Sequence, residues 1–336
     1  MSSTLALLDE RSVVDYLRGR GLDIPANAQA RELGGGVSNV VLSVAWRDER
    51  VVVKQSLPRL KVESEWFAPV DRILREARSI QLMNHLLPDA APELVSADPE
   101  RFVIAMTGAP SSWTDWKQCL MGGDVRSSVA AQLGTTLGEL HARTSGGAGL
   151  HESFFDGKPF EQLRIDPYFV HAAQRVPEIA PALMETVAEM TSRRSCLVHG
   201  DFSPKNLLVD PQQEQVWVID FEVAHFGDPA FDLAFLLTHL VLKAVHRPQD
   251  GPQLDGAATA FVSSYLQVDG NTTPPDLAHV LRLVGCLLAA RAEGKSPVEY
   301  LSSAQRATVL KLATAILKDR PTTLNDLALA RTQGES

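Results

Sequence analysis

HGDFSPKNLLVDPQQEQVWVID, running from His199 to Asp220, decides how the rest of the chain is read. It sets Asp201 five residues before Asn206 and delivers Asp220 at the end of a later apolar stretch. Cys196 to Val198, Leu207 to Val209 and Val216 to Ile219 are short apolar runs typical of strands, so the loops between and after them carry the acids. Asp210-Pro211 and the polar Gln212-Gln213-Glu214 fit a hairpin turn between the last two. An aspartate alone in such a loop is explained equally well by turn chemistry. With Asn206 and Asp220 in register, Asp201 reads as the base that accepts the proton of an attacking hydroxyl. Asn206 and Asp220 supply the oxygen ligands that Mg²⁺ prefers, and the whole spacing suits phosphoryl transfer.

The same stretch continues into Ile219-Asp220-Phe221-Glu222 and then Gly227-Asp228-Pro229, with Asp232-Leu233-Ala234 close behind. HGDxxxxN, IDFE and GDPxxDLA in this order resemble the aminoglycoside phosphotransferase and choline kinase superfamily, small-molecule relatives of protein kinases. The resemblance implies an α+β, bilobal protein-kinase-like fold. Residues 1–108 would form a small nucleotide-binding lobe with an antiparallel sheet and one key helix, and residues 109–336 a mainly helical lobe for catalysis and acceptor binding. It also implies ATP and Mg²⁺ as cofactors and a small-molecule hydroxyl as acceptor. His199 would brace the catalytic loop, Asp232 would anchor it, and Glu222 would be a further metal or water ligand in a DxE form of the metal motif. Asp228, just before Pro229 and an apolar helical run, reads instead as a helix cap.

The first hundred residues contain the parts of an ATP-binding lobe in order. Leu33-Gly34-Gly35-Gly36-Val37-Ser38-Asn39 leads into the alternating strand Val40 to Trp46, and backbone freed of Cβ at Gly35 and Gly36, with Ser38 and Asn39 beside it, can approach phosphates. Val51-Val52-Val53-Lys54 ends the next strand on a lysine, and Glu76 lies in a helical run beginning near Asp71, as expected of a glutamate that orients a phosphate-binding lysine. Phe102 to Met106 reads as a buried strand entering the hinge, with Met106 against the adenine in this superfamily. Lys54-Gln55-Ser56-Leu57-Pro58, Trp66, Asp71-Arg72 and Glu76-Ala77 look locally like methylthioribose kinases. Those enzymes typically carry a small hydroxyl residue where this chain has Asn206, and a longer glycine-bearing loop. Ser203 stands where many protein kinases have a lysine, and Lys205 reads as a surface residue.

Composition agrees. At 336 residues and 45% hydrophobic content the chain can bury a large core, and its formal charge of −9 without a dense basic cluster excludes nucleic acid as a main partner. Three scattered cysteines, Cys119, Cys196 and Cys286, lack metal spacing and favour a reducing cytoplasm. Residues 1–17 read as an amphipathic helix rather than a signal peptide, and the apolar run from Phe231 to Val245 is too short and polar to span a membrane. Helices are expected over 124–144, 257–266, 276–291, 303–317 and 323–330. Residues 154–168 read as an irregular insertion, His239 as a core histidine, and Arg291 and Lys295 as cations suited to a helix C-terminus, with neutralisation of an anionic or sugar substrate as the alternative. Trp113 and Trp116 read as linker glue. The alternatives are a methylthioribose-like sugar kinase and a nucleotide-binding pseudokinase. Against the latter stands the intact set Lys54, Glu76, Asp201, Asn206 and Asp220, since a protein that only binds has no use for the base. Oligomeric state is open.

Overall fold

The computed structural model describes residues 6–34, 38–58, 69–212, 215–270 and 274–334. The chain divides into two compact units: Met1–Trp113 with Ile219–Glu222, and Thr114–Val218 with Val223–Ser336.

In the first unit, five antiparallel strands stand in the order β1-β2-β3-β5-β4: β1 (Gln29–Glu32), β2 (Asn39–Trp46), β3 (Glu49–Ser56), β4 (Leu94–Asp98) and β5 (Val103–Thr107). Strand side chains alternate between faces, which sorts them. Leu42, Val44, Val51, Val53, Val103 and Ala105 form one core cluster with Val13 and Leu17 of helix α1 (Val13–Gly19). Lys54, opposite Val41 and Ile104, is one residue out of phase with Val53 and emerges on the other face, toward helix α2 (Arg72–Leu86). Met106, opposite Val52, shares that face and is buried.

Helix α1 is shorter than its apolar periodicity suggests. The Asp9 carboxylate accepts from the backbone of Arg11 and Ser12, and this turn lets α1 begin only at Val13. Ahead of it, Leu8 donates its backbone N–H to the Gln55 side chain.

The second unit is mostly helical. Strand β6 (Thr114–Asp115) pairs with β8 (Leu207–Val209), which pairs with β9 (Val216–Val218), while β7 (Cys196–Val198) pairs with β10 (His225–Gly227). Around these ladders lie α3 (Trp116–Met121), α4 (Ser127–Arg143), α5 (Lys158–Phe160), α6 (His171–Arg175), α7 (Ala180–Ser192), α8 (Ala230–His246), α9 (Gly251–Leu266), α10 (Leu277–Glu293), α11 (Ser303–Asp319) and α12 (Leu324–Gly334). Helix α8 runs through the core, with every residue from Ala230 to Val245 buried except the half-buried His239. The expected irregular insertion is instead largely helical. Residues Glu161–Val170 form a wide-turn helix linking α5 to α6, and Pro167 is tolerated inside it because the expanded hydrogen-bond pattern leaves room for a missing N–H. No helix among the described residues is long and apolar enough to cross a membrane.

Close packing of α4 on α9 depends on glycine. A Cβ at Gly134 would stand 2.2 Å from the Phe261 carbonyl oxygen, and one at Gly138 3.0 Å from that of Tyr265. In an isolated helix Gly134→Ala would gain roughly 1 kcal/mol of propensity, but prising two backbones apart costs about 1–3 kcal/mol. Gly134→Ala is therefore expected to lower stability, and Gly134→Val to lower it further, in urea unfolding. Exposed Thr135→Ala on the same helix should stay within about 0.5 kcal/mol of the parent.

Candidate active site

Lys54 is the centre of the first unit's polar interior. Its ammonium donates to Glu76 Oε1 at 2.6 Å and to Asp220 Oδ1 at 2.8 Å, with the lysine and glutamate side chains 8% and 0% exposed. Burial opposes the lysine's charge, but the carboxylates of Asp220 and Glu76 outweigh it and hold the lysine protonated well past its ordinary range. One ammonium between two carboxylates leaves an excess negative charge. Burial accordingly pushes the Glu76 carboxyl up to about 7 despite the pull of Lys54, with Asp220 and Glu222 adding to the rise. Asp220 itself adopts φ +71°, a left-handed conformation that aspartate tolerates better than most residues.

A second cluster lies at the start of β2. Ser38 and Asn39 are buried, and Asn39 Nδ2 donates to Ser38 Oγ and to Glu222 Oε2, each at 3.2 Å. Arg72, 1% exposed, donates its Nε to the same Glu222 oxygen at 3.1 Å, and its other nitrogens donate to the carbonyls of Pro69, Leu57 and Ser38. Glu222, expected as a further metal or water ligand, thus commits Oε2 to an ion pair. Arg72 has no role in the sequence pattern beyond a local likeness, and its signal is a charged residue opening a helix whose next turns are buried. Gly35 and Gly36 lie outside the described residues, as does Trp66.

The second unit holds Asp201 and Asn206. Gly200 turns the chain after β7 at φ +79°, where a Cβ would lie 2.9 Å from the Val223 carbonyl, so only glycine fits. Asp201 follows, 4% exposed. Its Oδ1 pairs with Arg164 Nη2 at 3.1 Å, and its Oδ2 pairs with Lys205 Nζ at 3.1 Å and accepts from Asn206 Nδ2 at 2.7 Å. Lys205 is half exposed, as a surface residue would be, yet it contacts the carboxylate. Arg164 comes from the segment read as irregular, and its signal was missed because its spacing to Asp201 follows no local period. His199 Nδ1 accepts from the Asp201 backbone N–H at 3.0 Å, which braces the loop.

Asp232 anchors that loop. Its carboxylate accepts from the backbone N–H groups of His199 at 2.7 Å and Gly200 at 2.9 Å, and meets His141 Nε2 at 3.2 Å, while His141 Nδ1 meets Tyr265 Oη at 2.9 Å. Burial alone would raise the Asp232 carboxyl, but the hydrogen bond and charge of His141 pull it below its ordinary range. Asp228 caps α8 through the Ala230 N–H at 2.9 Å and also pairs with His279 at 2.9 Å.

The oxygen donors fit Mg²⁺. The Asp220 carboxylate is 20% exposed beside an otherwise enclosed lysine. Among the described residues no three His, Cys, Asp or Glu side chains converge on a common metal position.

Comparison with known proteins agrees with this geometry. The chain matches the Phosphotransferase enzyme family over residues 29–270. It belongs to that family, and it is accordingly an enzyme, a small-molecule phosphotransferase. A methylthioribose kinase of Bacillus cereus strain G9842 is 25% identical over 272 residues, covering 72% of this chain and 68% of that protein. The methylthioribose kinase of Bacillus thuringiensis strain Al Hakam gives the same figures. Among solved structures, amicoumacin kinase hAmiN in complex with AMP-PNP, Ca²⁺ and Ami superposes at a TM-score of 0.59 with 15% identity, over 93% of this chain and 96% of that one. Choline kinase LicA from Streptococcus pneumoniae superposes at 0.53 with 17% identity, over 92% and 98%. These likenesses establish the protein-kinase-like fold.

Because the folded-state carboxyl of Glu76 sits at about 7, above its ordinary 4.5, the folded protein holds a proton there that the unfolded chain loses first. Its stabilising effect is complete below pH 4.5 and disappears as pH rises through 7. In nucleotide-free, metal-free protein, Glu76→Gln should flatten the fall of stability across this window, read by urea unfolding at successive pH values. An unchanged slope would show that Glu76 is ionised throughout.

Proposed function

We propose that this phosphotransferase moves the γ-phosphoryl group of ATP, with Mg²⁺, to a hydroxyl of a small molecule. The observation that carries the proposal is the buried Lys54–Glu76–Asp220 arrangement, at 2.6 and 2.8 Å, in a chain that also presents Asp201 and Asn206 from one loop. Lys54 would hold the phosphates, Glu76 would fix the lysine's direction, and Asp220 with Asn206 would hold the metal. Ser38, Asn39, Gly35 and Gly36 belong to the proposed phosphate-covering segment and Met106 to the adenine side. When bound, Mg²⁺ supplies charge neutralisation on the phosphate oxygens. Asp201 is the proposed base. Arg164 and Lys205 fix its two oxygens, so it accepts the hydroxyl proton from a defined direction and orients the nucleophile.

A sugar-like acceptor is the second reading, favoured by the methylthioribose kinases at 25% identity and by the DxE form of Asp220 and Glu222.

Asp201→Asn should leave MgATP affinity within a few-fold of the parent while lowering turnover at least ~10²-fold, about 3 kcal/mol in barrier. Product formation on an identified acceptor is the measurement, and near-parental turnover would refute the base. Lys54→Ala and Glu76→Ala should weaken the same step, so their combined loss should fall well short of the product of the single losses. Strict multiplicativity would mean that Glu76 does not act through the lysine.

A further inference from the structure

The second unit contains a buried lysine that forms no ion pair among the described residues. Lys243, at 0% exposure on α8, has among the described residues a single hydrogen bond, a long one of 3.4 Å to the His239 carbonyl. That acceptor is the carbonyl one turn back on the same helix. A buried ammonium costs several kcal/mol unless paired, and evolution rarely keeps one idle. Its surroundings are mostly cations and hydroxyls, and the acids that act on it, Glu299 and Asp115, form no ion pair with it among the described residues. Tyr300 Oη and Arg291 Nε are buried without a hydrogen-bond partner among the described residues. Arg291 donates to Tyr168 Oη at 3.2 Å and to the Ser296 carbonyl, but forms no ion pair among the described residues. Lys117 is already neutralised by Glu299 at 2.5 Å.

This donor cluster is continuous with Asp201. Arg164, paired to Asp201, lies 5.5 Å from the Tyr168 ring, and Arg291 lies 5.5 Å from the same ring. Tyr168 stacks with Phe235, whose ring is 5.3 Å from His239 on the next turn of α8, and Lys243 follows one turn later. Lys243 and Lys117 stand 5.7 and 5.8 Å from the Tyr300 ring. The positive field is visible in the neighbours. Enclosure, then Lys243, Arg291, Lys205 and Lys117, hold His239 well below its ordinary range. Burial of Tyr168 is outweighed by Arg291 and Arg164, so its hydroxyl is lowered.

We infer that the acceptor is a hydroxylated anion, its carboxylate or phosphate held by Lys243, Arg291 and Tyr300, with its hydroxyl presented to Asp201. The inference rests on the phosphotransferase reading above for the last clause alone. A cationic acceptor is disfavoured twice. It would meet Lys243 and Arg291 unneutralised, and the aromatic rings that could cradle an ammonium are already close to the protein's own cations. A neutral sugar would leave Lys243 as it is.

The test uses the full chain and matched probes: D-glycerate against glycerol, D-ribose 5-phosphate against D-ribose, and choline and kanamycin as cations. With MgATP, at least one anion should exceed its neutral partner by ~10-fold or more in kcat/KM, and which anion does so separates carboxylate from phosphate recognition. Lys243→Met should erase the preference through KM while ATP affinity stays near parental, and Tyr300→Phe should give a smaller effect of the same sign. Burial first, then Lys117 and Arg291, lower the Lys243 ammonium to about 7, with the acids Glu299 and Asp115 opposing. His246 and the cations around His239 complete the titratable groups facing it. An arriving anion raises that value, so binding at pH 8 should take up a proton, seen by calorimetry in buffers of different ionisation enthalpy and lost in Lys243→Met.

Binding is also measured on Asp201→Asn, where no turnover is needed. Anion binding with Lys243-dependent proton uptake, but no product from the parent enzyme with any probe, keeps the anion site and removes the claim that its occupant is the acceptor. Faster turnover of a neutral or cationic probe, or no anion-dependent heat at millimolar concentrations, overturns the anion site.

Discussion

A single ammonium shared by two carboxylates is the constraint on which the first unit is organised. Lys54 reaches Glu76 and Asp220 from the middle of β3, and each partner comes from a different part of the chain, 22 and 166 residues away. Such a group is not a device for stability. Replacing a buried ion pair with apolar side chains is often neutral, whereas removing one member strands the other and costs about 3–5 kcal/mol. The excess negative charge here makes the arrangement still less comfortable, as the raised Glu76 carboxyl records. Retaining a strained charge balance is what a binding site for a further cation and a polyphosphate requires, and it is consistent with the proposed roles of Lys54 and Asp220.

Arg72 extends the same logic. Its guanidinium joins the start of β2, the end of β3 and the Glu222 carboxylate, so the segment bearing Asp220 is tied to the strand bearing Ser38 and Asn39. A planar, always charged fork can serve three carbonyls and a carboxylate at once, which a lysine cannot. Glu222 therefore does structural work through one oxygen, whatever its other oxygen contacts when a metal is bound.

In the second unit the loop carrying Asp201 is held from below and faced from above by opposite chemistry. Asp232 collects two backbone N–H groups and His141 beneath it, while Arg164, Lys205 and Asn206 converge on the Asp201 carboxylate. Of the first set, Asp232 lies in the GDPxxDLA stretch that follows the loop, whereas His141 comes from α4. The cations beyond the loop, Arg291 and Lys243, lie outside that stretch, and acceptor choice is expected to reside there.

The sequence by itself determined the family and the α+β class, and it singled out Lys54, Glu76, Asp201, Asn206 and Asp220 as candidates, Asp201 and Asn206 by a short, loop-sized spacing. The apolar run Val51 to Val53 showed a strand carrying Lys54, which the structure continues to Ser56, and apolar recurrence located α10 and α11. Tertiary structure decided the rest. Arg164 meeting Asp201, Arg72 meeting Glu222 and Lys243 forming no ion pair among the described residues depend on long-range packing that leaves no local period. The wide-turn helix over 161–170 was illegible for a related reason. Its proline and charged residues resemble a loop when each is weighed alone, and only the packing of Leu163, Tyr168 and Phe169 into the core makes the helical path the cheaper one.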